Sequence, residues 1–165
     1  YQGVDINPAM IAACQKKFPS QTSKFSTGKK PFGIVDFCLF SGTFNLTHSN
    51  DPAFWTDYIF TCLDRCMAQT RFGLSLNLLC APKAKIEKQI FYADRAAFIR
   101  RAETHFGRTH AQSTQRVNGD VSFVVTRASL WVSKIKFYNK LSLEAVSKTE
   151  GNGVAIAIWV GLPSG

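Results

Sequence analysis

One run, Gly33 to Leu46 (GIVDFCLFSGTFNL), constrains the fold of this chain more than any other. Ile34, Val35, Phe37, Cys38, Leu39 and Phe40 are nearly continuous apolar residues. That is the pattern of a strand covered on both faces, and such strands belong to parallel sheets flanked by helices. Ser41-Gly42 breaks the run, and Thr43, Phe44 and Asn45 follow at the strand's carboxyl end. Ligands of open α/β sheets bind at the carboxyl ends of the strands. The turn after this strand is therefore the first place to look for a site.

The rest of the chain fits around such a strand. Tyr1 to Ile6 reads as the end of a strand, and Asn7-Pro8 as an N-cap with a first-turn proline. Met10, Ile11, Cys14 and Phe18 recur at helical spacing, and Phe18-Pro19-Ser20 closes that helix. A short strand is expected around Lys24 to Ser26. Asp51-Pro52 opens a second helix whose stripe is Phe54, Trp55, Tyr58, Ile59, Cys62, Leu63, Cys66 and Met67. Gly73 to Cys80 reads as a strand, Ala81 to Lys88 as a basic loop, and Gln89 to Ala93 as a short aromatic piece. Asp94 caps a third helix with Ala97, Phe98, Ala102 and Phe106 inward. Asn118-Gly119 joins Arg108–Val117 to Val121–Arg127 as a hairpin.

Residues 1–127 thus form an α/β unit, and 128–165 an extension whose role the sequence leaves open. That extension holds an apolar piece (Leu130, Trp131, Val132, Ile135, Phe137), a Gly-Asn-Gly turn at Gly151 to Gly153, and an apolar run from Val154 to Leu162. An extra hairpin, a fused element and a tail unrelated to the core all remain open.

Composition narrows the class. The 165 residues, 45% apolar, suffice for one domain with a real core. The five cysteines lie in apolar contexts without a CxxC pair, which reads as reduced core thiols of a cytoplasmic protein. Cys62 and Cys66 are one helical turn apart but lack further ligands nearby, so no metal centre is expected. Tyr1-Gln2-Gly3 shows no basic n-region or long apolar h-region of a signal peptide. Val154 to Leu162 is too short for a bilayer, which needs about 20 residues, so no membrane partner is expected. Net charge is +9, and Lys83 to Lys136 carries eleven basic against four acidic residues. Because the charges are scattered, they read first as a solvated surface, with nucleic acid a partner they permit.

At this point a resemblance becomes visible. GVDINPAMIAACQKKF (Gly3 to Phe18), IVDFCLFSGTFNL (Ile34 to Leu46), the helix with FWTDYIFTCL, the strand GLSLNLL, and IFYADRAAFIRRAETHFG up to VSFVVTR resemble a class I S-adenosylmethionine-dependent methyltransferase over residues 1–127. The resemblance implies a Rossmann-like methyltransferase sheet, mostly parallel, with a closing antiparallel hairpin. The chain would enter that fold at the family's second strand, truncated at the N-terminus. The resemblance also implies S-adenosylmethionine as cofactor, with Asp5 on its ribose hydroxyls and Ile6 on the adenine face. Ser41, Gly42 and Phe44 match the turn beside the methionine part and the methyl group. Asn45 would touch the cofactor or the substrate, a small-molecule or macromolecular methyl acceptor.

Three departures from the family stand out. No GxGxG precedes Asp5, since only four residues do, so the family's glycine-rich loop is expected upstream or not at all. Ser23 to Thr27 carries no acid for the adenine amino group. Ser41 to Phe44 is not an (N/D)PPY turn, which argues against the amino methylation of that motif class.

His48 and Tyr92 are the candidate catalytic bases, although a loop histidine such as His48 is commonly just a surface residue. Each other candidate also has a plainer reading. Asp5 can help cap the helix after Asn7-Pro8, Gly42 can serve only its turn, Asp36 reads as structural, and the Trp55 stripe as core. His105 and His110 have no visible partner. No Ser/His/Asp set or P-loop occurs. The rival classes are a non-catalytic module binding a protein or nucleic acid, an RNA methyltransferase suggested by charge alone, and a dinucleotide oxidoreductase. The acceptor and the oligomeric state are not legible.

Overall fold

The structure, a computed structural model, describes residues 1–113 and 118–127 and the backbone of Ala155–Trp159. The apolar piece at Leu130 to Phe137 and the turn at Gly151 to Gly153 lie outside the described residues, as does the end of the first hairpin arm at Val117.

Three polar caps start the three helices. Asn7 Oδ1 accepts from the Ala9 amide at 2.9 Å to open α1 (Pro8–Lys17). Asp51 Oδ1 accepts from Ala53 and Phe54 at 2.8 and 3.2 Å to open α2 (Pro52–Met67). Asp94 Oδ1 accepts from Ala97 at 2.9 Å to open α3 (Arg95–His105). Each carboxylate or amide oxygen satisfies amide donors that the first helical turn leaves without a partner.

The strands are β1 (Gln2–Asp5), β2 (Phe25–Thr27), β3 (Val35–Phe40), β4 (Thr70–Ala81), β5 (Lys85–Glu87), β6 (Ile90–Asp94), β7 (Thr109–Ser113), β8 (Asp120–Thr126) and β9 (Ala155–Trp159). They form one sheet in the order β2-β1-β9-β3-β4-β6-β5, with the β7–β8 hairpin added along β4. Pairings among β2, β1, β9, β3 and β4, and between β4 and β6, are parallel. Those of β4 with β8, β7 with β8 and β5 with β6 are antiparallel, so the protein is α/β with a mixed sheet. The expected hairpin is present, with Gly119 at φ +83° in its turn. The stretch expected to be a plain basic loop contributes β5.

The part of the chain left open by its sequence supplies the middle of this sheet. β9 lies parallel between β1 and β3, with Gly3 level with Ala157 on one side and Leu39 level with Ala157 on the other.

The crossovers from β1 to β2 and from β3 to β4 run outward in opposite directions from β9. Right-handed crossovers then place α1 and α2 on opposite faces. Packing agrees with this. Val4, Cys38 and Phe40 share one core with Trp55, Ile59, Leu63 and Cys66 of α2, and with Phe98 and Ala102 of α3. On the other face, a Cβ at Gly3 would come within 2.7 Å of the Phe25 ring, which stacks on Phe18 at 5.9 Å. Several expected core residues are outside, and Phe54, which opens the expected α2 stripe, is 61% exposed at the first turn of the helix. Met10 and Phe18 are each 42% exposed, and of α1 only Ile11 is buried. Ile34 is 60% exposed because the strand starts one residue later, after Gly33 at φ +90°.

At Gly73 the β8 backbone lies close against β4. A Cβ there would sit 2.1 Å from the Val125 carbonyl oxygen, and backbone cannot yield as a side chain does. Gly73→Ala is expected to cost about 2–3 kcal/mol, in the upper range of overpacking effects. A urea melt followed by far-UV circular dichroism checks this, and an unchanged midpoint would contradict it.

Candidate functional site

Parallel strands on either side of β9 end together, and the sequence places polar residues and a turn at those ends. On one side β1 closes with Asp5, which is 4% exposed. Its Oδ1 accepts from the Asn7 amide at 2.7 Å, so the carboxylate helps shape the entry to α1. Ile6 is half-buried and packs on the core edge next to it. At the backbone level Asp5 is in register with Trp159 of β9.

On the other side β3 ends in Ser41 and Gly42, both exposed. Gly42 has φ +66°, a left-handed conformation that glycine adopts without strain, and the space where its Cβ would point is open. Its amide donates to Asn77 Oδ1 at 2.7 Å, while Asn77 Nδ2 donates to Asp120 at 3.0 Å. Asn77 therefore pins the turn to the β4–β8 ladder, a residue that sequence reasoning passed over. An asparagine inside the largely apolar strand GLSLNLLC was the signal available for it.

The turn is held from beneath as well. Phe44 is 1% exposed, with its ring tilted on Phe40 at 5.3 Å. Its carbonyl accepts from Trp55 Nε1 at 3.0 Å. The Phe44 side chain thus belongs to the core rather than to an open crevice. Burial of so apolar a ring between β3 and α2 is the reason. Trp55 is core too, 4% exposed and stacked on Tyr58 at 4.8 Å. Asn45 is committed to the scaffold: its Oδ1 accepts from the Leu79 amide at 3.1 Å and its carbonyl from Phe91 at 2.8 Å.

The two candidate bases stand on separate elements, a loop and a strand. His48 is exposed on the loop before α2. Tyr92 lies on β6 with the Lys85 ammonium over its ring at 5.0 Å. Asp36 pairs with Arg71 at 3.2 Å near the other end of β3, as its structural reading expected.

Thiol chemistry is also set by burial. Cys80, at the carboxyl end of β4, is pushed up to about 11 by burial, against the pull of Arg95. It stays protonated at neutral pH and is a poor nucleophile. Cys66 is raised by its hydrogen bond with Cys38 and by burial, and Cys62 chiefly by burial. Among the described residues no group of three or more His, Cys, Asp or Glu side chains is placed to hold a metal. Among them, too, no helix is long and apolar enough to cross a membrane. A recess of 180 Å³ lined by Thr56, Phe60, Ala97, Phe98 and Arg101 shares no residue with the Asp5–Gly42 edge.

In comparisons with known proteins, no family model, curated protein or solved structure matches the chain.

The Asn77 bridge makes a pair of variants informative. Asn77→Ala should cost about 0.5–1.5 kcal/mol, the net worth of an ordinary hydrogen bond, because the exposed Gly42 amide can turn to water. Asn77→Asp keeps the acceptor but faces Asp120 with a like charge, so Asp120→Asn should restore part of its stability. Denaturation midpoints of the three proteins check this, and failure of the second change to rescue the first would contradict the bridge.

Proposed function

We propose that this protein is a methyltransferase that binds S-adenosylmethionine across the carboxyl edge of β1, β9 and β3. One observation carries the reading. The crossovers leave β9 in opposite directions, which makes this edge a topological switch point, and switch points are where ligands of α/β sheets bind. The mixed sheet, with helices on both faces and an antiparallel hairpin along β4, supports reading it as Rossmann-like.

The residues present suit an adenosine-bearing ligand. A buried carboxylate at the end of β1 is a strong acceptor for a pair of ribose hydroxyls. Half-buried Ile6 beside it offers an apolar edge to a base. The open space over Gly42 lets a ligand approach the backbone closely. Phe44 and Asn45 act from behind the turn, by holding its shape.

When bound, the cofactor supplies a sulfonium-activated methyl group, and a nucleophile displaces a thioether from that carbon. The protein's share is to hold donor and acceptor in line and to exclude water. Asp5 anchors one end of the ligand, and the Ser41–Gly42 turn, fixed by Asn77 and Trp55, positions the other. The acceptor is a small molecule or a macromolecule, and the basic surface favours one with negative charge.

Calorimetric titration of the full chain with S-adenosylhomocysteine tests the reading. Binding in the micromolar range is expected, weakened at least about tenfold in Asp5→Asn, which keeps an acceptor for the Asn7 amide but loses the charge. A folded chain that does not bind would overturn the proposal in favour of a non-catalytic, partner-binding module.

A further inference from the structure

Between Ile6 and Val35 the chain holds five lysines and no aspartate or glutamate. Lys16, Lys17, Lys24, Lys29 and Lys30 are all exposed. The fold gathers this charge at one end of the sheet, together with apolar side chains that the core does not take up.

β1, β2, β3 and β4 run parallel to one another through β9, so the residues that precede them lie at one end of the sheet, away from the Asp5–Gly42 edge. Lys24 closes the short 3-10 turn Pro19–Lys24 ahead of β2, and Phe32 to Ile34 lead into β3. α1 runs back to this end, where Phe18 stacks on Phe25, the first residue of β2, at 5.9 Å. Lys17 Nζ stands 5.6 Å from the centre of the Phe18 ring. Cys66 Sγ, in the last turn of α2, lies 3.9 Å from the Lys29 carbonyl oxygen. The Phe32 carbonyl oxygen lies 3.5 Å from Gln2 Nε2, at the start of β1. Phe18, Phe32 and Ile34 are 42, 48 and 60% exposed. Gly33, at φ +90°, sets the turn that leaves both of its neighbours at the surface. Asp36, the next acid along the chain, is paired with Arg71 at 3.2 Å.

Charge of one sign over so long a stretch calls for an anionic partner. Exposed aliphatic and aromatic side chains among the lysines call for a partner with an apolar interior as well. An anionic bilayer offers both. Its headgroups attract the ammonium groups, the lysine stems lie along the acyl boundary, and the hydrocarbon takes phenylalanine and isoleucine. Single-stranded nucleic acid fits less well, because bases stack on π faces. Ile34, the most exposed apolar side chain of the group, has none, and the Phe18 ring is already in contact with Phe25 and Lys17.

We propose that this end of the sheet is a peripheral membrane-binding surface, in which Phe32 and Ile34 enter an anionic lipid bilayer and the lysines around them hold its headgroups. Docking of this kind needs no membrane-spanning segment. It leaves the Asp5–Gly42 edge, at the other end of the strands, facing the solution.

Flotation of the full chain with vesicles tests the proposal. Mixed phosphatidylserine–phosphatidylcholine vesicles should bind it and phosphatidylcholine vesicles should not. Binding should fall at least about tenfold between about 0.1 M and 1 M salt, as the screening length shrinks from about 10 to 3 Å. Lys24→Glu/Lys29→Glu should weaken it at least about tenfold, and so should Phe32→Ser/Ile34→Ser. Lys83→Glu/Lys88→Glu makes the same change in net charge on the other basic stretch and should leave binding nearly unchanged. Equal binding to the neutral vesicles, no binding by the folded chain, or a loss confined to the Lys83/Lys88 variant would overturn the proposal. The replaced side chains are exposed, so thermal midpoints should not move. A fall in Phe32→Ser/Ile34→Ser would show that the chain itself covers these residues, and would also overturn it. Retention of single-stranded RNA without vesicle binding, or a dimer that dissociates in Phe32→Ser/Ile34→Ser without vesicle binding, would assign the surface to another partner and contradict the lipid reading.

Discussion

Two parallel ladders meet on a single strand, and the rest of the structure depends on that meeting. β9 gives the inner edges of β1 and β3 their hydrogen-bond partners. Unpaired edges in the middle of a sheet would leave backbone donors and acceptors facing a core that cannot solvate them. Filling the slot also brings Asp5 and the Ser41–Gly42 turn to the same end of neighbouring strands. The chain thus builds a switch point from its beginning, its middle and its last described segment.

Around that edge, rigidity comes from a few polar contacts set into apolar packing. Trp55 donates to the Phe44 carbonyl, Asn77 accepts from Gly42, and Asn45 accepts from Leu79. Together they join the turn after β3 to α2 and, twice, to β4. The turn is therefore a fixed platform. Its polar side chains mostly serve the scaffold, leaving backbone and open space at the surface over Gly42. This division of labour suits a reaction in which placement and exclusion of water do most of the work.

Local signals proved the most legible. Asn7, Asp51 and Asp94 cap helices where a short polar acceptor stands ahead of proline or arginine. The α2 stripe was readable because Trp55, Ile59, Cys62, Leu63 and Cys66 are all buried on one face. Asn118-Gly119 carried its hairpin through a turn that needs a positive φ. The stripe on α1 misled, because that helix covers only the narrow β1–β2 edge and leaves Met10 and Phe18 exposed. That the Phe44 ring folds into the core and Asn45 bonds to Leu79 was not legible, since sequence marks a turn without showing which side chains fold back under it. The place of β9 was not legible at all. A parallel strand is positioned by ladders to residues more than a hundred positions away, and no local pattern in AIAIW encodes them.

The central claim is that the carboxyl edge of β1, β9 and β3 is the ligand site. Amide chemical-shift mapping of the isotopically labelled full chain with S-adenosylhomocysteine tests it most directly, because it reports where binding occurs as well as whether it does. The account predicts the largest shifts at Asp5–Asn7 and Ser41–Asn45, with the Thr56–Arg101 recess quiet. Shifts centred on that recess or on the basic surface, or none in a folded chain, would contradict it.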